Sequence, residues 1–220
     1  MSKNIEKALA FIKSEFDASD YFKAHENDKE YRFRHSMRVA NIGAEIARKE
    51  NLNVEALTIA CLLHDVSYRH EFITSEDWKG HGRRASKMVR EFLKDLDISD
   101  AIKEDICYGV AIHVDDEADF EGERTPFALS VGDADNIDRF DVYRIYENLQ
   151  YSQFSNMKHE DQLIFVEQKC ERLAKLMNME LGTRTAKELW CERVSYQIDF
   201  FNRLKDQLNQ GEQLTYLKGE

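Results

Sequence analysis

Residues 54–66 read Val-Glu-Ala-Leu-Thr-Ile-Ala-Cys-Leu-Leu-His-Asp-Val. Apolar side chains recur at helical spacing in this stretch, which predicts an amphipathic helix from about residue 54 to 65. Asn53 stands where its side chain can cap the first turn of that helix. The apolar stripe ends in His64, and Asp65 follows directly. The predicted helix therefore ends in two side chains that can bind a metal ion.

Helical periodicity recurs along most of the remaining chain. It predicts helices near residues 3–16, 29–50, 81–94 and 99–113, one opened by Thr125-Pro126, and two longer ones after residue 150. The last of these is predicted to start at a capping box, Thr185-x-x-Glu188. Stretches 66–80 and 114–125 look irregular, and the second is acidic enough to predict a solvated, mobile loop.

The composition points the same way. One proline and nine glycines in 220 residues are too few for a turn-rich sandwich or barrel, which favours an all-α fold. With 31 Lys and Arg against 42 Asp and Glu, the net charge of −11 argues against an extended nucleic-acid surface and suits cations. The 42% of hydrophobic residues can form a sizeable core.

The cysteines and the termini predict a cytoplasmic protein. The four cysteines lie far apart without a Cys-x-x-Cys pair, which is typical of buried free thiols in a reducing compartment. The N-terminal residues lack the apolar segment of a signal peptide. No apolar run approaches the ~18–20 residues of a membrane span, so no membrane association is expected.

Five predicted helices place a metal-competent side chain in their apolar stripe. These side chains are His35, His64, His81, His113 and Asp133. A carboxylate between Leu129 and Ile137 is costly to bury without a cation or hydrogen-bond partners. If these faces pack inward, imidazoles and carboxylates converge. Mixed nitrogen and oxygen ligands suit Mn, Fe, Zn or Co better than Mg alone.

The ordered set His35, His64-Asp65 and Asp133 resembles the His…His-Asp…Asp signature of the HD-domain metal-dependent phosphohydrolases. The flanking segments His-Ser-x-Arg-Val (35–39) and Leu-Leu-His-Asp-Val (62–66) are similar as well. The resemblance covers roughly residues 25–150. It implies an HD-type helical core over residues 1–150, with additional C-terminal helices over 151–220 that pack on it.

The resemblance also implies roles for individual residues. His35, His64, Asp65 and Asp133 would hold one metal ion, with His64 and Asp65 at the centre of catalysis and Asp65 able to orient the attacking water. His81 and His113 would bind a second metal in dinuclear members, bridged by Asp65, or contact the phosphate in mononuclear ones. Asp133 is preferred to Asp135 because it matches the family position. It also shares a helix face with Leu129, Ile137 and Phe140, whereas Asp135 lies about 200° away.

The implied activity is hydrolysis of a small phosphorylated substrate, such as a nucleotide, by water activated on one or two divalent ions. Lys79, Arg83 and Arg84 flank His81 at a predicted helix start, and Arg38 lies one turn after His35, so these cations are candidates for binding the phosphate. Asn136 stands where a common nucleotide-hydrolysing branch has arginine, which leaves the identity of the substrate open.

Two other functions remain compatible with this sequence. HD-type di-iron oxygenases use the same six residue types in the same order to activate oxygen on a small organic substrate. A non-catalytic HD module that senses a ligand is the third alternative, although its expected mark, an eroded ligand set, is absent here.

The helices after residue 150 either shape the pocket or form a homodimer interface.

Overall fold

The computed structural model describes residues 2–211; residue 1 and residues 212–220, the end of the predicted C-terminal region, lie outside the described part. The described residues form eleven α-helices and two short 3₁₀ helices, with no strand among them. The α-helices are α1 Lys3–Ala18, α2 Asp20–Ala24, α3 Glu26–Lys49, α4 Val54–Leu63, α5 Ser75–Lys79, α6 His81–Leu93, α7 Asp100–Ile112, α8 Pro126–Arg139, α9 Val142–Tyr151, α10 His159–Leu176 and α11 Arg184–Gln210. The 3₁₀ helices are Val66–Arg69 and Phe154–Asn156. The predicted all-α fold is confirmed.

The chain divides into two compact units. Among the described residues, the first comprises 2–138 and Leu181–Ala186, and the second comprises Arg139–Glu180 and 187–211. The first unit thus contains α1 to α7 and nearly all of α8, and it takes in the start of α11. The predicted division into residues 1–150 and 151–220 stays a prediction about domains.

Helix α4 forms the centre of the first unit. Seven of its ten residues are buried, and it packs against α1, α3 and α7. Gly43 of α3 allows one of these close contacts, because a Cβ there would lie 2.4 Å from the sulfur of Cys61. The C-terminal end of α4 is buried, and so are His64 and Asp65, which follow it, so both side chains lie inside the core.

The helix starts test the predicted caps. The Asn53 side chain accepts the Ala56 N–H at 3.0 Å, and the Thr125 hydroxyl accepts the Ala128 N–H at 3.2 Å, so both of these helix starts are confirmed. The predicted capping box at Thr185 is wrong. Thr183 caps α11 instead by accepting the Ala186 N–H at 3.1 Å, since Thr185 already lies within the first helical turn.

Of the two stretches predicted as irregular, the first contains helices and the second does not. Residues 66–80 contain a 3₁₀ helix and α5, and α5 starts with a capping box of Thr74 and Asp77. Residues 114–125 form no helix. Their carboxylates are nevertheless tied to α6, because Asp115 and Asp119 form ion pairs with Arg83 and Lys87 at 2.9 and 2.5 Å.

The second unit is built around Trp190 of α11. Its buried ring packs edge-to-face on Phe140 at 4.7 Å, and its Nε1–H donates to the Leu176 carbonyl at 2.8 Å. The Lys187 ammonium donates to the carbonyls of Met177 and Met179, so a positive charge lies at the C-terminal end of α10, where the helix dipole favours it. None of the described helices combines the length and the apolar character that crossing a bilayer requires.

Candidate metal centre

Three of the predicted histidines are oriented by the backbone of the segment that precedes them. Each donates from Nδ1 to a carbonyl three residues back, and a carbonyl oxygen can only accept a hydrogen bond. Nδ1 therefore carries the hydrogen, and Nε2 keeps its lone pair for a metal ion. The bonds are His64 to Cys61 at 2.7 Å, His81 to Trp78 at 2.5 Å and His113 to Val110 at 2.7 Å.

The fourth histidine, His35 on α3, is oriented by a carboxylate. Its Nδ1 hydrogen-bonds to Asp138 of α8 at 2.7 Å. Arg38 donates two hydrogen bonds to the same carboxylate, at 2.6 and 3.0 Å. The structure thus places Arg38, predicted to bind phosphate, in a pairing that orients His35 through Asp138.

Four donor atoms from three segments converge into a first group. His35 Nε2 lies 3.1 Å from Asp135 Oδ1 and 3.6 Å from Asp65 Oδ2, while His64 Nε2 lies 3.5 Å from Asp65 Oδ2 and 3.7 Å from Asp135 Oδ1. Ligands held at about 2.1 Å around a tetrahedral ion are about 3.4 Å from one another, close to these separations. All four residues are buried.

A second group faces the other oxygen of Asp65. Asp65 Oδ1 lies 3.1 Å from His81 Nε2 and 3.6 Å from His113 Nε2, and the two Nε2 atoms are 3.1 Å apart. Both imidazoles already hold their hydrogen on Nδ1, so two lone pairs face each other at this distance. A proton or a cation between the two nitrogens removes that repulsion. Asp65 thus directs one carboxylate oxygen at each group.

The donor set fits a divalent transition metal. The Nε2 atom of His64 is fully buried and has no hydrogen-bond partner in the described structure. Leaving a buried polar atom unpaired costs about 1–3 kcal/mol, which a metal–nitrogen bond offsets. Two sets of three residues, His35 with His64 and Asp135, and His64 with Asp65 and His113, could each hold an ion. Within each set the ligand atoms lie no more than 4.8 Å apart.

Charge within the centre also favours a cation. Burial opposes ionisation of Asp65 and Asp135, but the neighbouring imidazoles hold the pKa of each carboxyl well below its usual range. Burial likewise lowers the pKa of His35, but its hydrogen bonds with Asp135 and Asp138 outweigh that effect and raise the pKa to about 9. The metal-free centre therefore keeps a proton on His35, in the place that a metal ion would take.

Asp135, and not Asp133, is the aspartate that α8 contributes to this cluster. The Asp133 carboxylate accepts the Gly182 N–H at 2.8 Å, and burial raises the pKa of Asp133 to about 6. Asp133 does share a face with Leu129, but that face covers the returning segment Leu181–Ala186. Helix α8 is buried on two sides, and the family position and the apolar stripe both pointed to Asp133, whose carboxylate lies on the side away from the cluster.

Two of the three basic residues around His81 form ion pairs with carboxylates. Arg84 forms an ion pair with Asp77 at 2.7 Å. Arg83 lies 2.9 Å from both Asp115 and Glu117. Lys79 is exposed. These ion pairs compete with a phosphate for the two guanidinium groups, so phosphate binding by Arg83 and Arg84 finds no support in their geometry.

Two residues of the site were not predicted from the sequence. One is Asp138, which orients His35. The other is Arg32, which donates from its guanidinium to Asp65 Oδ2 at 3.1 Å and lies 3.5 Å above the Tyr68 ring. Arg38 was selected because it lies three residues after His35 on the same helix. Arg32 lies three residues before His35, so the same spacing could have identified it.

Comparison with known proteins agrees with this architecture. The HD domain family model matches residues 32–141, half of the chain, and the protein therefore belongs to the HD domain family. The chain is also similar in fold to a predicted HD superfamily hydrolase from an uncultured Thermotogales bacterium, with 19% identity, 92% of each chain covered and a TM-score of 0.63. No curated protein matches the sequence.

Proposed function

We propose that this protein is a metal-dependent phosphohydrolase that uses water to cleave a small phosphorylated substrate. The observation that carries the proposal is the common orientation of four buried imidazoles. Each is fixed through Nδ1, and each directs Nε2 at a carboxylate oxygen of Asp65 or Asp135. A histidine that only filled space in the core would not need a hydrogen bond at Nδ1 that turns Nε2 toward other ligand atoms. Four histidines share this arrangement, which is typical of metal ligands.

In this proposal His35, His64, Asp65 and Asp135 hold the first cation. Asp65 Oδ1, His81 and His113 hold a second cation or contact the substrate phosphate. When bound, a divalent cation would lower the pKa of a water ligand toward ~7 and would stabilise negative charge on the phosphoryl oxygens. Mn, Fe, Co and Zn suit the mixed donors better than Mg.

Asp65 and Arg32 can also act directly on the water and on the substrate. Asp65 is ionised and central, so it can accept a hydrogen bond from the attacking water and orient it. Burial lowers the pKa of Arg32, but the negative charge of Asp65 outweighs that effect and raises the pKa, so Arg32 keeps its positive charge beside this carboxylate. With 22% of its side chain exposed, Arg32 is the cation best placed to contact a phosphate entering the centre.

The two oxygens of Asp65 face different groups of ligands, and this arrangement also suits a di-iron oxygenase. A carboxylate with one oxygen toward each of two sites is suited to bridging two metal ions. Two irons in this arrangement would serve oxygen chemistry on an organic substrate. The identity and number of the bound metals, together with any dependence of turnover on oxygen, separate this function from hydrolysis.

The test combines elemental analysis of the purified protein with a phosphate-release screen over nucleotides, sugar phosphates and pyrophosphate, supplied with Mn²⁺, Co²⁺ or Mg²⁺. We expect one or two bound metals per chain and phosphate release from at least one substrate. His64→Ala should lose both, since it removes a central ligand, while helical content stays largely unchanged.

His70→Gln is the matched control, because His70 is exposed and lies outside the cluster. It should retain the metal content and turnover of the unmodified protein. Phosphate release by a metal-free His64→Ala variant would overturn the hydrolase proposal. Two bound irons with oxygen-dependent turnover and no phosphate release would replace it with the oxygenase.

A further inference from the structure

The second unit contains a basic cavity. The cavity has a volume of about 210 Å³, and every residue that lines it belongs to that unit. Its polar lining comes from α9, α10 and α11 and from the residue at the end of α8, and it consists of Arg139, Arg144, Asn148, Lys169, Arg172 and Gln197. Four cationic side chains thus surround one small space in a chain whose net charge is −11.

Three other cations of the same unit form ion pairs with carboxylates, namely Arg193 with Asp141, Arg203 with Asp199 and Lys205 with Glu167. Lys169 and Arg172 differ. Within residues 2–211, neither has a carboxylate within ion-pair distance. Arg144 forms an ion pair with Glu147 of its own helix at 3.4 Å and donates from Nε to the Arg139 carbonyl at 3.2 Å. Lys169 and Arg172 therefore give the cavity positive charge that no carboxylate of the described residues balances.

This positive charge is costly for the protein. The Lys169 side chain is half-buried, and its ammonium lies 5.2 Å from the centre of the Phe165 ring. Burial lowers the pKa of Lys169, and the positive charges of Arg172 and Arg144 lower it further. Like charges held together in a partly desolvated cavity repel one another unless an anion lies between them.

We propose that this cavity binds an anion with two or more linked phosphate groups. Guanidinium groups form paired hydrogen bonds with phosphate oxygens, and the Asn148 amide adds a neutral donor. The rim is held in place by Gln197, which is buried and donates to the Phe140 carbonyl at 2.5 Å. Sites that enclose drug-sized ligands measure about 300–1,000 Å³, so this smaller cavity suits the phosphate chain rather than a whole nucleotide. The proposal does not depend on the reaction at the metal centre.

The test is calorimetric titration of the full chain with tripolyphosphate, in the presence of a chelator so that no metal contributes. We expect saturable binding, and a loss of affinity of at least about tenfold in the double variant Lys169→Gln, Arg172→Gln. Lys175→Gln is the matched control, because Lys175 is an exposed cation of the same helix outside the cavity. Its affinity should equal that of the unmodified protein.

Two comparisons complete the experiment. The single variant Arg172→Gln, at an exposed position, should show a smaller loss in the same direction and replaces the double variant if that one does not fold. Sulfate at equal ionic strength should bind far more weakly than tripolyphosphate. The absence of tripolyphosphate binding, equal affinity for sulfate, or an equal loss in the Lys175 control would each overturn the proposal.

Discussion

Asp65 is the residue on which the metal centre depends. Its two oxygens face different pairs of imidazoles, and Arg32 donates to the oxygen that faces the first pair. Burial alone would favour the neutral acid, yet the surrounding positive charge keeps the pKa of Asp65 well below its usual range. An ionised, fully buried carboxylate between two groups of nitrogen ligands is suited to holding cations and to orienting water.

His35 gives this centre a defined pH dependence. Its pKa of about 9 in the metal-free protein means that the imidazole is protonated at neutral pH, so a metal ion must displace that proton in order to bind. Affinity for Mn²⁺ should therefore rise with pH by up to about tenfold per unit between roughly pH 7 and 8.5, and level off above the pKa. Calorimetry in buffers of different ionisation enthalpy counts the released protons.

The His70→Gln variant serves as the control for that measurement, since it changes the number of histidines without touching the cluster. It should release as many protons as the unmodified protein does. Binding of Mn²⁺ without proton release at neutral pH would contradict the ion pairing of His35 with Asp135 and Asp138.

At the scale of elements, the centre depends on how closely helix ends approach one another. α6 begins with His81-Gly82, and a Cβ at Gly82 would lie 2.7 Å from the Ala111 carbonyl and 3.0 Å from His113 Nδ1. The absence of a side chain at residue 82 allows the start of α6 to pack against the end of α7. That packing brings His81 and His113 to the same oxygen of Asp65.

Gly82→Ala should accordingly damage the second group more than the first. The added methyl must displace backbone, which costs about 1–3 kcal/mol in overpacked cores, so the midpoint of thermal unfolding should fall. If the centre is dinuclear, the variant should also lose one of two metals in elemental analysis.

Lys87→Ala on the exposed side of the same helix is the comparison variant. It removes a surface ion pair with Asp119 but no core contact, and should leave the midpoint of thermal unfolding nearly unchanged. A Gly82→Ala variant as stable and as metal-rich as Lys87→Ala would show that α6 and α7 do not need this close contact.

An apolar stripe identified the site residues of a helix correctly where only one face of that helix is buried. Stripes with a single buried face placed His35, His64, His81 and His113 correctly in the core. The stripe of α8 failed to identify the aspartate, because Asp133 and Asp135 are both buried on opposite sides of the helix. Arg32 and Arg38 are equally spaced from His35, and only the tertiary structure shows which one reaches Asp65 and which one reaches Asp138.

For the whole molecule, the acidic composition proved to be a weak guide to the location of charge. Carboxylates of the 114–125 segment neutralise cations on α6, and the metal centre requires only a few of the 42 acidic residues. The second unit instead has a positive cavity, which no net charge could predict. A cytoplasmic location and a homodimer stay predictions from the sequence.

We expect α8 to supply Asp135 as a metal ligand and to hold the returning segment at Gly182 through Asp133. Elemental analysis of Asp135→Ala and Asp133→Ala, purified side by side with the unmodified protein, tests this assignment directly. We expect Asp135→Ala to lose most of its bound metal and Asp133→Ala to retain it with lowered stability. Metal retained by Asp135→Ala and lost by Asp133→Ala would show that Asp133, and not Asp135, is the ligand.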